Sequence, residues 1–283
     1  MSRWTLAFKA LPLLTLLSLL SCGGGGSSSV PPPPGTWTQV WSDEFAAADG
    51  TPVDPTKWTA ETGGNGWGNN ELEYYTARTV NAVQQGGNLN IFALKETYTG
   101  PDGVTRNYTS ARLKTENLFS QAYGRFEARI NIPAGQGMWP AFWMLGNNIG
   151  SVGWPACGEL DIMENIGKEP TIVHGSMHGT GFTGASLGSP YSLPSNANFA
   201  DDFHLYAVEW EPGVVRFYVD SALYETHTPA DLPVGAVWPF DHPFFIILNV
   251  AVGGDWPGSP DGTTVFPQTM LVEYVRVYKK TGT

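Results

Sequence analysis

Three carboxylates crowd into the octapeptide GELDIMEN at residues 158–165: Glu159, Asp161 and Glu164, interleaved with Leu160, Ile162 and Met163. Residues i and i+2 of a β-strand share a face about 6.5–7 Å apart, so Glu159 and Asp161 point together and Leu160 and Ile162 point to a core. Unbroken alternation would aim Glu164 into that core, where an unpaired carboxylate is costly. A one-residue bulge around Ile162 and Met163 is therefore expected, returning Glu164 to the shared face. Acids on one face disfavour each other's ionisation, an arrangement that makes sense where it performs chemistry. Two carboxyls about 5–5.5 Å apart are what a retaining glycosidase needs, one attacking the anomeric carbon and one protonating the leaving oxygen. A third acid between them can hold the nucleophile and keep the acid protonated. A solvated charged face fits poorly with the apolar flanks, and a calcium site draws its oxygens from a loop rather than a strand-like segment.

The elements that must position these acids read as strands. Short apolar runs recur at 89–94, 123–132, 138–145, 159–164, 172–178, 205–210, 214–219, 244–252 and 270–278, between Gly, Pro and Asn punctuation. No long window shows helical periodicity. Many antiparallel strands of this length predict a two-sheet sandwich of the jelly-roll kind. In MWPAFWML at 138–145, one face carries Trp139, Ala141, Trp143 and Leu145 and the other Met138, Pro140, Phe142 and Met144. Both faces are apolar, as in a strand buried on both sides, or in one buried on one side and lined with aromatic platforms on the other. A tryptophan floor beside acids suits a sugar ring, which offers C–H faces for stacking and hydroxyls for polar partners.

Composition narrows the class further. The 283 residues include eleven Trp, 34 Gly and 22 Pro, a mixture that favours all-β structure with tight turns. A formal net charge of −11 leaves no basic patch for a nucleic acid. Arg3 and Lys9 precede an apolar run at residues 10–20, right for an export signal, which ends in Leu-Leu-Ser-Cys22. That ending resembles the bacterial lipobox, whose cysteine is lipidated. The expected organisation is a lipoprotein-type signal at 1–22, a Gly/Ser/Pro tether at 23–35 and one domain at 36–283. The remaining cysteine, Cys157, reads as a small buried apolar residue, so the fold is expected to hold without a disulfide.

The residues carry a family resemblance. GELDIMEN resembles the active-site strand of glycoside hydrolase family 16 in its bulged form, E-x-D-x-x-E, typical of laminarinase-like members. WSDEF at 41–45, WGNNELEYYT at 67–76, SARL at 110–113, YGRFEAR at 123–129, GMWPAFWML at 137–145, LNVAVGG at 248–254 and VRVY at 275–278 follow in the family's order. The resemblance implies a concanavalin A-like sandwich with a concave cleft. It implies Glu159 as nucleophile, Asp161 as assisting acid and Glu164 as general acid/base, with no cofactor required for chemistry. It also implies that Trp139 and Trp143 stack on glucosyl rings, that Asn69 and Arg112 bond hydroxyls and that His178 stands near the cleaved linkage. Trp154 and Trp256 are weaker cleft candidates. Glu44, a carbonyl near Gly87 and Glu273 resemble the family's structural calcium site, although Asp is frequent where Glu273 stands.

The expectation is an exported monomer, lipid-anchored through Cys22 at the bacterial cell envelope or secreted, that hydrolyses β-1,3-glucan. Mixed β-1,3-1,4-glucan, a galactan, and a glucan-binding module without catalysis are the alternatives.

Overall fold

The computed structural model describes residue 1, residues 37–184 and residues 187–281. The chain divides into two units, Met1–Pro31 and Pro32–Thr283. The export segment, the tether and Cys22 lie outside the described residues.

The second unit is built from two large antiparallel sheets. One has seven strands in the order Gly188–Ser192, Ile172–His178, Glu159–Glu164, Met138–Gly146, Phe244–Val252, Arg112–Lys114 and Thr59–Glu61. The other runs Ala222–His227, Val214–Val219, His204–Glu211, Gly124–Asn131, Gln268–Lys280, Asn88–Ala93 and Ala82–Gln85, with Trp37–Asp43 also pairing to Gln268–Lys280. The all-β, two-sheet architecture thus agrees with the strand reading. All nine apolar runs are strands, with ends shifted by at most two residues. Apolar side chains from both sheets fill the space between them. Phe142, Met144, Leu160, Leu248 and Val250 come from one, and Phe126, Val208, Phe217, Val272 and Val277 from the other, none more than 1% exposed.

The bulge sits where parity demands it. Trp143 pairs with Asp161 and Phe142 with Met163, so Ile162 is the extra residue on that side. Toward the other neighbour, Asp161 pairs with Ser176 and the next pair is Glu164 with His174. Ile162 and Met163 consequently both point inward, at 1% and 0% exposure, and Glu164 returns to the face of Asp161. The strand before it splits its faces as expected: Trp139, Ala141, Trp143 and Leu145 line the cleft, and Met138, Phe142 and Met144 join the core. Gly158 delivers the chain into the acidic strand at φ +77°, where a Cβ would stand 2.8 Å from the Phe244 ring.

Candidate active site

The seven-stranded sheet floors a cleft of about 880 Å³. Glu159, Asp161 and Glu164 all line it, together with every other residue expected to meet sugar: Asn69, Arg112, Trp139, Trp143, Trp154, His178 and Trp256.

Each carboxylate has distinct partners. Trp154 Nε1 donates to Glu159 Oε2 at 2.6 Å. Asp161, 2% exposed, accepts from Ser176 Oγ at 2.9 Å and from His178 Nε2 at 3.0 Å, both on Oδ2. Trp139 Nε1 donates to Glu164 Oε1 at 2.9 Å. Ser176 Oγ also lies 3.3 Å from Glu164 Oε2. The serine has one proton and gives it over the shorter distance, so the second contact is satisfied when Glu164 carries a proton of its own.

The three acids and the histidine perturb one another. Burial, then the charge of Asp161, pushes Glu164 up to about 8, against the opposing hydrogen bond from Trp139 and the charge of His178. Burial works against a charged His178, yet the hydrogen bond to Asp161 and the fields of all three acids push it up to about 9. Glu159 is raised well above the ordinary carboxylate range by burial and by Asp161, opposed by His178. The Trp154 N–H favours its charged form, and the imidazolium opposes the rise at both glutamates. Carboxyls held neutral near neutral pH are what the proton-donor role of a double displacement uses.

The aromatic groups of the cleft form two clusters. In one the Arg112 guanidinium lies between the Trp67 and Trp143 rings, 4.8 and 4.7 Å from their centroids, and its Nε donates to Glu61 at 2.5 Å. In the other Trp139 meets Trp256 edge-on at 5.5 Å, and His174 packs on Trp256 at 5.0 Å. Asn69 donates to Glu71 at 3.3 Å. Trp154 stands 55% exposed beside Glu159.

Sequence reasoning passed over Ser176, His174, Glu71, Tyr75 and Asn249. Asn249 carried a usable signal, being the one polar residue inside the apolar run FFIILNVAV. Ser176 could be found only through its pairing with Asp161, a long-range register.

The residues of the calcium expectation, Glu44, Gly87 and Glu273, are placed as follows. Glu44 accepts from Arg276 Nε at 3.0 Å and from its terminal nitrogen at 2.7 Å, so both its oxygens serve an arginine. Glu273 is paired with Arg129, and Gly87 turns between two strands. Among the described residues, the group of His and acidic side chains close enough to share a metal is Glu159, Asp161 and His178, in the cleft itself. Cys157 is free and fully buried, and burial raises its thiol to about 11, so it is not a nucleophile.

Comparison with known proteins places this geometry. The family model for Glycosyl hydrolases family 16 matches residues 69–275. The chain is 45% identical over 254 residues to the Beta-glucanase of Rhodothermus marinus, covering 86% of this chain and 85% of that one. It is 39% identical over 260 residues to Glucan endo-1,3-beta-glucosidase A1 of Niallia circulans, covering 85% of this chain and 38% of that longer one. In structure it is similar to the laminarinase catalytic domain of Thermotoga maritima MSB8, at 49% identity and a TM-score of 0.82, over 87% of this chain and 99% of that one.

Proposed function

The chain belongs to glycosyl hydrolase family 16, and from that premise we propose that it is an endo-acting, retaining hydrolase of β-1,3-glucosidic bonds in laminarin-type glucans. The observation that carries the mechanism is the bulged strand, which turns Glu159, Asp161 and Glu164 into one cleft while burying Ile162 and Met163. Glu159 attacks the anomeric carbon as Glu164 gives its proton to the departing glycosidic oxygen, forming a glycosyl ester on Glu159 and freeing one chain end. Glu164, now a carboxylate, takes a proton from water, whose oxygen attacks the same carbon and releases Glu159. Asp161, held by Ser176 and His178, stands between them and keeps the proton on Glu164 until cleavage. The chain's own side chains supply the nucleophile and every proton, so no cofactor enters. Five tryptophans lining one cleft fit an extended stretch of polymer, in keeping with endo action.

The same reading includes export of a monomer and a lipid on Cys22, supported by the apolar segment ending in Leu-Leu-Ser-Cys and the tether after it. In a bacterial host, Cys22→Ser should move the enzyme from the membrane to the soluble fraction. An unchanged distribution would contradict the anchor. For the activity, reducing-sugar release from laminarin, lichenan and agarose should be greatest on laminarin and lost in Glu159→Gln. Turnover of agarose alone would discard the substrate, and binding of laminarin without turnover would leave a glucan-binding module.

A further inference from the structure

Two buried acids beside the cleft take no part in the scheme above. Glu71 is 4% exposed and Glu73 0%, and among the described residues no lysine or arginine pairs with either. Buried carboxyls without a cation are costly, so their hydrogen bonds must account for them.

Those bonds run in one direction. The Trp143 indole N–H can only donate, and it gives to Asn249 Oδ1 at 2.7 Å. That fixes the Asn249 amide, whose Nδ2 donates to Tyr75 Oη at 3.1 Å. The Tyr75 proton goes to Glu71 Oε2 at 3.0 Å, and Glu71 Oε1 accepts from Asn69 Nδ2 at 3.3 Å. Glu73 Oε2 accepts the Val252 N–H at 2.6 Å, while its Oε1 is buried with no donor. Burial and the adjoining Glu71 raise Glu73 well above the usual carboxylate range. A proton on Glu73 Oε1, shared toward Glu71, satisfies the last atom and leaves the pair's single charge on Glu71, where donors converge.

Resting on the proposed function, we infer that Glu71 and Glu73 are positioning residues for sugar recognition: a proton-sharing carboxyl pair that holds the Trp143 platform and Asn69 through one directed chain of hydrogen bonds. The chain's polarity makes the two acids unequal. Glu71 must accept from both Tyr75 and Asn69, which a glutamine cannot do, whereas a glutamine at 73 donates in place of the carboxyl proton.

The test is steady-state kinetics on laminarin. Glu71→Gln and Tyr75→Phe should each raise KM about tenfold with kcat within about twofold, as expected for lost positioning of a binding platform. The double variant should be no worse than the worse single, because both cut one chain. Glu73→Gln should raise KM less than Glu71→Gln does. Wild-type KM in Glu71→Gln, a loss confined to kcat, or equal damage in Glu73→Gln would overturn the inference. Infrared spectra at neutral pH give a readout that needs no turnover. In a Glu164→Gln background, which removes that residue's own carboxyl proton, the protonated-carboxyl C=O intensity should fall on adding Glu73→Gln, and unchanged intensity would also overturn it. If wild type fails to cleave laminarin, the substrate reading falls while the band still decides the shared proton.

Discussion

At the scale of the residue, the site depends on keeping one acid neutral and letting another ionise. With Glu164, at about 8, as the proposed proton donor, kcat/KM on laminarin should fall as pH rises through about 8. Trp139→Phe removes an N–H that favours the charged form of Glu164, and the alkaline limb of the profile should move upward. Glu164→Gln should lower kcat by about 10²–10⁴-fold. The same residue strains the fold. Unfolded, Glu164 titrates near its ordinary 4.5; folded, near 8, so between these values the native state holds a proton the unfolded chain has lost. Stability therefore falls as pH rises across that window. His178, ordinarily 6.5 and about 9 when folded, gives stability that is complete below 6.5 and lost as pH rises through about 9. Glu164→Gln removes the first slope, so its gain in melting temperature over wild type should be larger at pH 8 than at pH 5. Differential scanning calorimetry at the two pH values reads this directly, and an equal gain at both would contradict the raised Glu164.

At the scale of the element, long strands buried on both faces were legible because they write unbroken apolar runs, as FFIILNVAV does. The short ones were not. Thr59–Glu61 and Gly188–Ser192 have three and five residues with no apolar run, and pairing with a longer neighbour makes them strands. The bulge was legible because a charged residue on the wrong parity has few places to go. The partners of the acids were less so, since Ser176 and Asn249 reach the site through register rather than local pattern. The ion pairs of Glu44 with Arg276 and of Glu273 with Arg129 were hidden for a related reason, since nothing local announces them. Gly158 belongs to this scale as well. Gly158→Ala should cost about 1–3 kcal/mol in denaturant unfolding, because its positive φ and the Phe244 contact both resist a methyl group. Unchanged stability would mean that the entry to the acidic strand can relax.

At the scale of the whole molecule, the two sheets divide the work, with a sealed apolar interior behind and a polar, tryptophan-lined cleft in front. Burial of Ile162 and Met163 in the first is what holds Glu164 in the second, so stability and catalysis meet in one strand. Among the described residues Cys157 is buried and free, and alkylating reagents should reach it only after denaturation, as peptide mapping would show. The most direct measurement of the mechanism is proton NMR of the first sugar product released from laminarin, following the anomeric signal before mutarotation. We predict the β-anomer first, with no product from Glu159→Gln. The α-anomer first, or undiminished turnover in that variant, would contradict a double displacement through Glu159.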